Sequence, residues 1–284
     1  MDAVYMVRPG PVEELRYSLR SLAAHVEHDR VFIFGSAPSW VAKGPGAGKV
    51  TLVAREKKST KYATTTGHLR AMCKHAGVSD PFVLWMDDVY AVRPVGPMPA
   101  LHLGDLDRRL ERYVNLRSTW ATGMRATARM LHDLYPDRAL LSYETHAPLI
   151  VHKAAMLEAL ALADQLGVPA PHKRTIYGNV AELGGIELAQ DPKWVTQAAS
   201  PPKGSWLSSD DASFRSLTKP VLRWLFPDPC AYEIAGARSF GGVDQDGRVT
   251  RQQGRSTAVD RMAQRRAVLA KRRAAAEARA ARTR

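Results

Sequence analysis

The chain has 284 residues, which is enough for one large α/β domain or two small domains. Its two cysteines, Cys73 and Cys230, have no second cysteine or histidine at zinc-finger spacing, which argues against a disulfide framework and a structural zinc site. Apolar runs stay well below the ~18 residues of a membrane span, and the first residues lack a signal-peptide pattern. We therefore expect a cytoplasmic protein without stable membrane insertion.

The formal charge of +13 is unevenly distributed. The segment from Arg251 to Arg284 carries eleven Lys/Arg and two acidic residues, so only +4 remains for the rest of the chain. This segment is rich in Ala and Arg and almost lacks large apolar residues. We predict one domain over residues 1–250 and a basic tail over 251–284, helical or disordered.

Strand and helix patterns alternate through the first hundred residues. Short apolar runs predict buried strands, and apolar residues three and four apart predict helices. The predicted order is strand Val4–Val7, a helix beginning at Pro11, strands Val31–Phe34 and Val50–Val53, a helix over Lys61–His75, and a strand over Pro81–Met86. Such alternation is typical of a largely parallel sheet covered by helices on both faces.

The remaining elements are less regular. The sequence predicts helices over Asp105–Val114, Trp120–Leu134, Lys153–Leu166 and Leu217–Phe226, and a strand over Pro148–Val151. The expected fold class is therefore α/β, with a Rossmann-like, mostly parallel sheet flanked by helices. Ligands of such sheets bind beyond the carboxyl ends of the strands.

Asp87 and Asp88 stand at such an end, directly after Phe82–Met86. Two adjacent carboxylates raise one another's pKa unless a cation compensates them. Mg²⁺ or Mn²⁺ prefers oxygen ligands and completes its shell with diphosphate oxygens and water. We predict a divalent metal site here, although an Asp pair can also simply form a solvated turn.

Four residues are candidates for binding an anionic nucleotide. Arg8 follows the first strand, and Arg16 lies one turn into the first helix. Lys61 and Tyr62 open the second helix behind Thr60, a good N-cap, and a helix start attracts phosphate. The plainer interpretation is that these are solvated surface residues.

Three residues are candidates for a catalytic base. His146 precedes the strand at Pro148–Val151, and an imidazole can take a proton from an acceptor hydroxyl or bind a metal. Asp210 and Asp211 form a second acidic pair, in which Asp210 could instead cap a short helix. Weaker candidates are His152, His172 and Asn179.

Three segments resemble the second conserved region of the Stealth family: Glu14–Leu22, Arg30–Phe34 and Phe82–Val89. His146–Pro148 followed by Lys153–Leu157 is similar to the start of that family's third region. The family transfers sugar 1-phosphates, and its core resembles the nucleotide-sugar transferases of the GT-A fold. The resemblance implies a GT-A-like fold and a role for Asp87 and Asp88 in donor and metal binding.

The sequence also departs from the Stealth pattern. Met6–Gly10 replaces the family's opening Trp-Val-Asp-Gly-like signature. We therefore expect a metal-dependent glycosyltransferase, of the kind found in bacteria and their viruses. It would move a sugar from a nucleoside-diphosphate donor, with a UDP-sugar as the favoured donor, to a protein or glycan acceptor. The alternatives are a Stealth-type sugar-1-phosphate transferase and a basic nucleic-acid-binding protein.

The tail at 251–284 lacks the aromatic residues that stack on single-stranded nucleic acid and the bulky apolar face of a membrane-surface helix. We expect it to dock to an acidic partner instead.

Overall fold

The computed structural model describes residues 1–10, 12–55, 58, 60–113, 115–197 and 201–234. The predicted tail at 251–284, the last part of the predicted domain, and Pro11, the predicted start of the first helix, lie outside the described residues. No helix in the described ranges is long and apolar enough to cross a membrane.

Nine strands occur in the described part of the chain: β1 Ala3–Val7, β2 Val31–Gly35, β3 Val50–Ala54, β4 Phe82–Met86, β5 Val89–Ala91, β6 Leu101–His102, β7 Leu149–Val151, β8 Ile186–Glu187 and β9 Trp206–Ser208. The helices are α1 Glu14–His25, α2 Lys61–Lys74, α3 Leu106–Glu111, α4 Thr119–Leu134, α5 Lys153–Gln165, α6 Lys173–Val180, α7 Asp211–Ser213 and α8 Lys219–Leu225. A π-helical turn, Phe214–Thr218, joins α7 to α8.

The central sheet has five strands in the order β3-β2-β1-β4-β7. The first four strands are parallel, and β7 pairs antiparallel with β4. The predicted α/β class is confirmed as a mixed sheet flanked by helices. Two smaller sheets each have two strands: β5 with β9, antiparallel, and β6 with β8, parallel.

Successive side chains of a strand point to opposite faces of the sheet, and both faces of the central sheet are buried. Val4 and Leu84 join a core that includes Met72 of α2, Met156 of α5 and Ile176 of α6. On the other face, Tyr5 and Trp85 pack with ring centroids 6.2 Å apart, and Trp85 lies 5.6 Å from Trp206 of β9. Helix α1 covers this second face.

Helix α6 is the largest element that the sequence did not predict. It contains Gly178, a poor helix former, and the ring of Tyr143 lies where a Cβ at this position would be, 2.2 Å from the nearest ring carbon. The glycine is therefore required for close packing, a reason that periodicity does not reveal. The predicted helix Leu217–Phe226 is also divided, because its first residues belong to the π-helical turn.

A buried ion-pair cluster ties α1 to the end of the described chain. The carboxylate of Glu233, whose side chain is 0% exposed, pairs with both Arg16 and Arg20. Arg20 binds it through Nε at 2.5 Å and Nη2 at 3.0 Å, and it also donates to the carbonyls of Phe226 and Pro227. Because two buried guanidinium groups share this single carboxylate, removing its charge would leave them poorly compensated.

Replacing Glu233 by Gln should lower the free energy of unfolding by about 3–5 kcal/mol, the usual cost of breaking a buried ion pair. Urea denaturation measures this change. Glu182→Gln is the control, because Glu182 pairs with Arg138 but is 73% exposed, and it should change stability by less than about 0.5 kcal/mol. Equal effects of the two substitutions would contradict the structural role of Glu233.

Candidate functional site

The sheet reverses its strand order between β1 and β4. From β1 the chain adds β2 and β3 on one side, and it then crosses back to place β4 on the other side. In open α/β sheets this reversal leaves a crevice beyond the carboxyl ends of the two strands, where ligands bind. Arg8 follows β1 and Asp87 follows β4, so the two strand ends bring opposite charges to the crevice.

Helix α1 fixes the turn that carries Asp87 and Asp88. The hydroxyl oxygen of Ser18 lies 2.6 Å from the carbonyl oxygen of Val89 and 3.1 Å from that of Met86. These two carbonyls flank the Asp pair on either side. Ser18 is fully buried, so water does not compete for its single hydroxyl proton, which the shorter distance assigns mainly to the carbonyl of Val89.

Two further contacts fix the same turn from other elements. The indole of Trp85 donates to the carbonyl of Val89 at 3.0 Å. The amide of Ser209, just after β9, donates to the carbonyl of Asp88 at 3.2 Å, and the hydroxyl of Ser209 lies 3.0 Å from that of Tyr90. The backbone of the turn is thus held by contacts that do not involve the two carboxylates.

Burial raises the pKa of Asp87 to about 7, and the negative charge of Asp88 adds to this rise. Arg8 opposes the rise, whereas Glu14 increases it. Asp87 therefore exchanges its proton near neutral pH, and a nearby cation would favour its ionised form.

Burial also raises the pKa of Asp88, although the charges of His146 and Lys193, and more weakly of Lys61, favour the carboxylate. Its Oδ1 atom is buried and has no hydrogen-bond partner in the described part of the chain. Buried polar atoms are normally paired. Asp88 therefore presents a buried carboxylate oxygen without a hydrogen bond to the described residues.

His146 and Asp191 form a hydrogen-bonded pair near Asp88. Nδ1 of His146 lies 3.0 Å and 3.1 Å from the two carboxylate oxygens, and its amide donates to the same carboxylate. Although burial works against it, these hydrogen bonds from His146 hold the pKa of Asp191 below its usual value. A carboxylate facing Nδ1 places the ring proton there, which leaves Nε2 of a neutral imidazole free to accept a proton.

The structure places Arg8 and the second acidic pair together. Arg8 donates to the carboxylate of Asp211, and both side chains are 58% exposed. Asp210 caps α7 and forms a capping box with Ser213. This hydrogen bond lowers the pKa of Asp210. The geometry thus gives Asp210 the capping role, while Asp211 neutralises Arg8.

Arg16 does not have the location expected from the sequence. Its side chain is 1% exposed, pairs with Glu233, and lies 4.4 Å from the centre of the Trp40 ring. A diphosphate cannot reach it in this structure. The prediction that Arg16 neutralises a nucleotide diphosphate is therefore replaced by a role in the buried ion-pair cluster.

Lys61 and Tyr62 open α2, as predicted, and the hydroxyl of Thr60 caps the helix by accepting from the amide of Ala63. Lys61 is near enough to Asp88 to favour its ionised form. The ring of Tyr62 lies 5.9 Å from the ammonium of Lys173. Of the two residues, Lys61 is thus the one with an electrostatic link to the Asp pair.

The three weaker candidates have structural contacts. The backbone amide of His152 donates to the hydroxyl of Tyr177 at 2.8 Å. Nε2 of His172 lies 3.0 Å from the carbonyl oxygen of Trp120, and burial lowers the pKa of this imidazole. The side chain of Asn179 bridges backbone groups of Leu141 and Thr175.

Three residues near the Asp pair were not predicted from the sequence: Ser18, Asp191 and Lys193. Ser18 lies among the apolar residues of the first helix, where a serine has no distinctive pattern. Asp191 is separated from His146 by 45 residues, and no local pattern links them. The Asp191-Pro192-Lys193 segment follows a stretch without periodicity, so only the folded chain shows that its charges meet the Asp pair.

Comparison with known proteins adds no family assignment: no family model matches this chain, and no curated protein matches it. Within the described residues, no group of three or more His, Cys, Asp or Glu side chains could hold a metal ion.

Asp87→Asn should stabilise the metal-free protein at pH 8 but not near pH 4. The folded chain holds the Asp87 proton up to about pH 7, whereas the unfolded chain loses it near ~4. Wild-type stability therefore falls as pH rises through this window, while the Asn variant lacks this loss. Urea unfolding in EDTA should show a gain of about 1–3 kcal/mol at pH 8. A gain in stability that does not depend on pH would mean that the Asp87 carboxyl is not its cause. The control is Asp133→Asn, at an exposed position, which should give no gain in stability at pH 8.

Proposed function

We propose that this protein is a metal-dependent glycosyltransferase that moves a sugar from a nucleoside-diphosphate donor, with a UDP-sugar as the favoured donor, to a hydroxyl group of a protein or glycan acceptor. The supporting observation is the Asp87-Asp88 turn at the strand-order reversal, with the unpaired buried Oδ1 of Asp88. We further propose that the α/β sheet is GT-A-like, in keeping with the position of the Asp pair directly after β4.

The residues of the turn fit a hard divalent cation. Asp87 and Asp88 offer carboxylate oxygens, and burial raises the pKa of both, so a bound cation would favour their ionised forms. Mg²⁺ or Mn²⁺ bound there would neutralise negative charge on the donor diphosphate and its leaving group. The contacts from Ser18 and Ser209 hold the backbone of the turn in place before binding.

Arg8 is the side chain in the crevice that can exchange an internal partner for a phosphate. Its ion pair with Asp211 is exposed, and exposed pairs contribute only about 0–1 kcal/mol. A diphosphate offers a stronger, bidentate partner to a guanidinium. Arg8 would therefore orient the leaving diphosphate from the β1 side, while Lys61 adds positive charge from the Asp88 side.

His146 is the proposed base. The carboxylate of Asp191 holds Nδ1–H, so Nε2 can accept the proton of the acceptor hydroxyl. The acceptor oxygen forms a bond to the anomeric carbon as the bond from that carbon to the diphosphate oxygen breaks. The electron pair leaves with the nucleoside diphosphate, and the proton remains on His146.

The first test is a panel of nucleotide sugars incubated with Mn²⁺, with UDP and UMP measured separately. Asp88→Asn should lower UDP release at least about 100-fold, because it removes a cation ligand from the turn, and it should leave the fold intact. Exposed Asp133→Asn is the matched control and should retain full activity. Full activity of Asp88→Asn would refute the proposal, and release of UMP would indicate sugar-1-phosphate transfer instead.

A second test separates the base from its positioning residue. His146→Ala should reduce kcat of transfer about 10²- to 10⁴-fold, the usual contribution of a positioned general base. Asp191→Asn should cause a smaller loss in kcat because the imidazole remains present but is less well oriented. Neither substitution should change UDP affinity more than about twofold, which would be measured by titration calorimetry. A large loss of UDP affinity in both variants would place His146 in donor binding.

A further inference from the structure

Three aromatic rings from separate parts of the chain meet beside α4. Tyr113 follows α3, Trp120 lies in the first turn of α4, and His172 is the residue at which α6 begins. The ring centres of Tyr113 and Trp120 are 5.1 Å apart, and those of Trp120 and His172 are 4.8 Å apart. Tyr113 and Trp120 are half-buried, so both residues can be reached from solvent. We call Tyr113, Trp120 and His172 the aromatic cluster.

Close backbone packing holds the aromatic cluster together. A Cβ atom at Gly123 would overlap the carbonyl oxygen of Ala170, so the glycine lets α4 approach the segment that precedes α6. The hydroxyl of Thr127, also on α4, accepts a hydrogen bond from the amide of His172 at 3.0 Å. These contacts fix Trp120 against His172 without the help of a ligand.

The aromatic cluster carries polar groups that the described residues do not satisfy. Nε of Arg109 is buried there without an acceptor, and the guanidinium lies 5.6 Å from the centre of the Tyr113 ring. Nε2 of His172 lies 3.0 Å from the carbonyl oxygen of Trp120, which can only accept, so Nδ1 is left as an acceptor. Burial lowers the pKa of His172, which keeps the ring neutral. The indole N–H of Trp120 likewise has no acceptor within the described ranges.

This combination of groups is complementary to a sugar ring. A pyranose has apolar C–H faces and, around its edge, hydroxyl groups that both donate and accept hydrogen bonds. Sites for such ligands combine aromatic side chains with a few placed polar groups. A buried guanidinium nitrogen without an acceptor is unfavourable, and a sugar hydroxyl oxygen would supply the missing hydrogen bond to Arg109.

Helix α6 connects the aromatic cluster to the segment of the proposed base. Arg174, two residues after His172, donates from Nη2 to the carbonyl of Ala147 at 2.7 Å and from its amide to the carboxylate of Glu144 at 3.2 Å. These two acceptors lie on either side of His146 in the sequence. Cα atoms two residues apart are separated by at most about 7 Å, so the aromatic cluster and the segment of His146 lie at the same end of α6.

We propose that the aromatic cluster is a carbohydrate-binding subsite, in which the rings of Tyr113 and Trp120 pack on a sugar and the polar groups of Arg109 and His172 bind its hydroxyls. This inference rests on the proposed transferase function and specifies the acceptor as a glycan. The sugar bound here is a unit of the acceptor chain other than the one whose hydroxyl faces His146. The subsite therefore contributes acceptor affinity and takes no part in the making or breaking of bonds.

The test is titration calorimetry of the full chain with maltotriose, cellotriose and chitotriose at millimolar concentrations, without nucleotide or metal. At least one of these neutral oligosaccharides should bind with a Kd below about 1 mM. Trp120→Ala should weaken that binding about 10-fold, because it removes the central ring of the cluster. Trp120→Phe, which keeps an aromatic ring, should retain most of the affinity. Trp224→Ala, at a half-buried tryptophan of α8, is the matched control and should bind like wild type.

Binding of none of the three oligosaccharides, or equal binding by wild type and Trp120→Ala, would overturn the inference. If Trp120→Ala fails to fold, Arg109→Gln is the second variant and should weaken the binding about 5-fold through the lost hydrogen bond.

Titration with UDP and Mn²⁺ separates this inference from the proposed function. UDP affinity should be equal in wild type and Trp120→Ala, and a loss in the variant would assign the rings to the base of the donor and overturn the inference. Absence of UDP release from the nucleotide-sugar panel, with oligosaccharide binding intact, would instead refute the transferase and support the carbohydrate site alone.

Discussion

The constraint on which the site depends is the placement of two adjacent carboxylates at the end of a buried strand. Bringing like charges together away from water is unfavourable, and burial raises the pKa of both Asp87 and Asp88. The fold holds their backbone through Ser18 and Ser209, so contacts within the protein fix the shape of the turn. A cation bound there would favour the ionised form of both carboxyl groups.

The local parts of this arrangement could be predicted from the sequence. Strand β4 and the turn after it follow from five apolar residues leading to two acidic ones, and the parallel order of the first four strands follows from the alternation of strands and helices. The pairing of β5 with β9 could not be predicted, because both strands have three residues and lie more than a hundred residues apart. Helix α6 was hidden by Gly178, whose role depends on the distant Tyr143.

The position of a site residue could be predicted where it follows from the strand order, and not where it depends on a partner that is remote in the sequence. Arg8, Asp87 and Asp88 follow strand ends, so topology alone brings them to one crevice. Arg16 lies on a helix that fits the same pattern, but Glu233, 217 residues further along the chain, draws it into a buried ion pair. The partner of His146, Asp191, is also remote in the sequence, 45 residues away, and no sequence pattern marks it. The hydrogen-bonded pair is visible only in the folded chain.

Electron paramagnetic resonance can measure Mn²⁺ binding to the protein with and without UDP, and so shows whether the Asp87-Asp88 turn binds a metal together with a diphosphate. UDP should strengthen Mn²⁺ binding, because the turn would supply only part of the metal's oxygen ligands and a diphosphate would supply others. The double substitution Asp87→Asn and Asp88→Asn should abolish this binding. Unchanged Mn²⁺ and UDP binding in the double variant would mean that the turn is not a metal site.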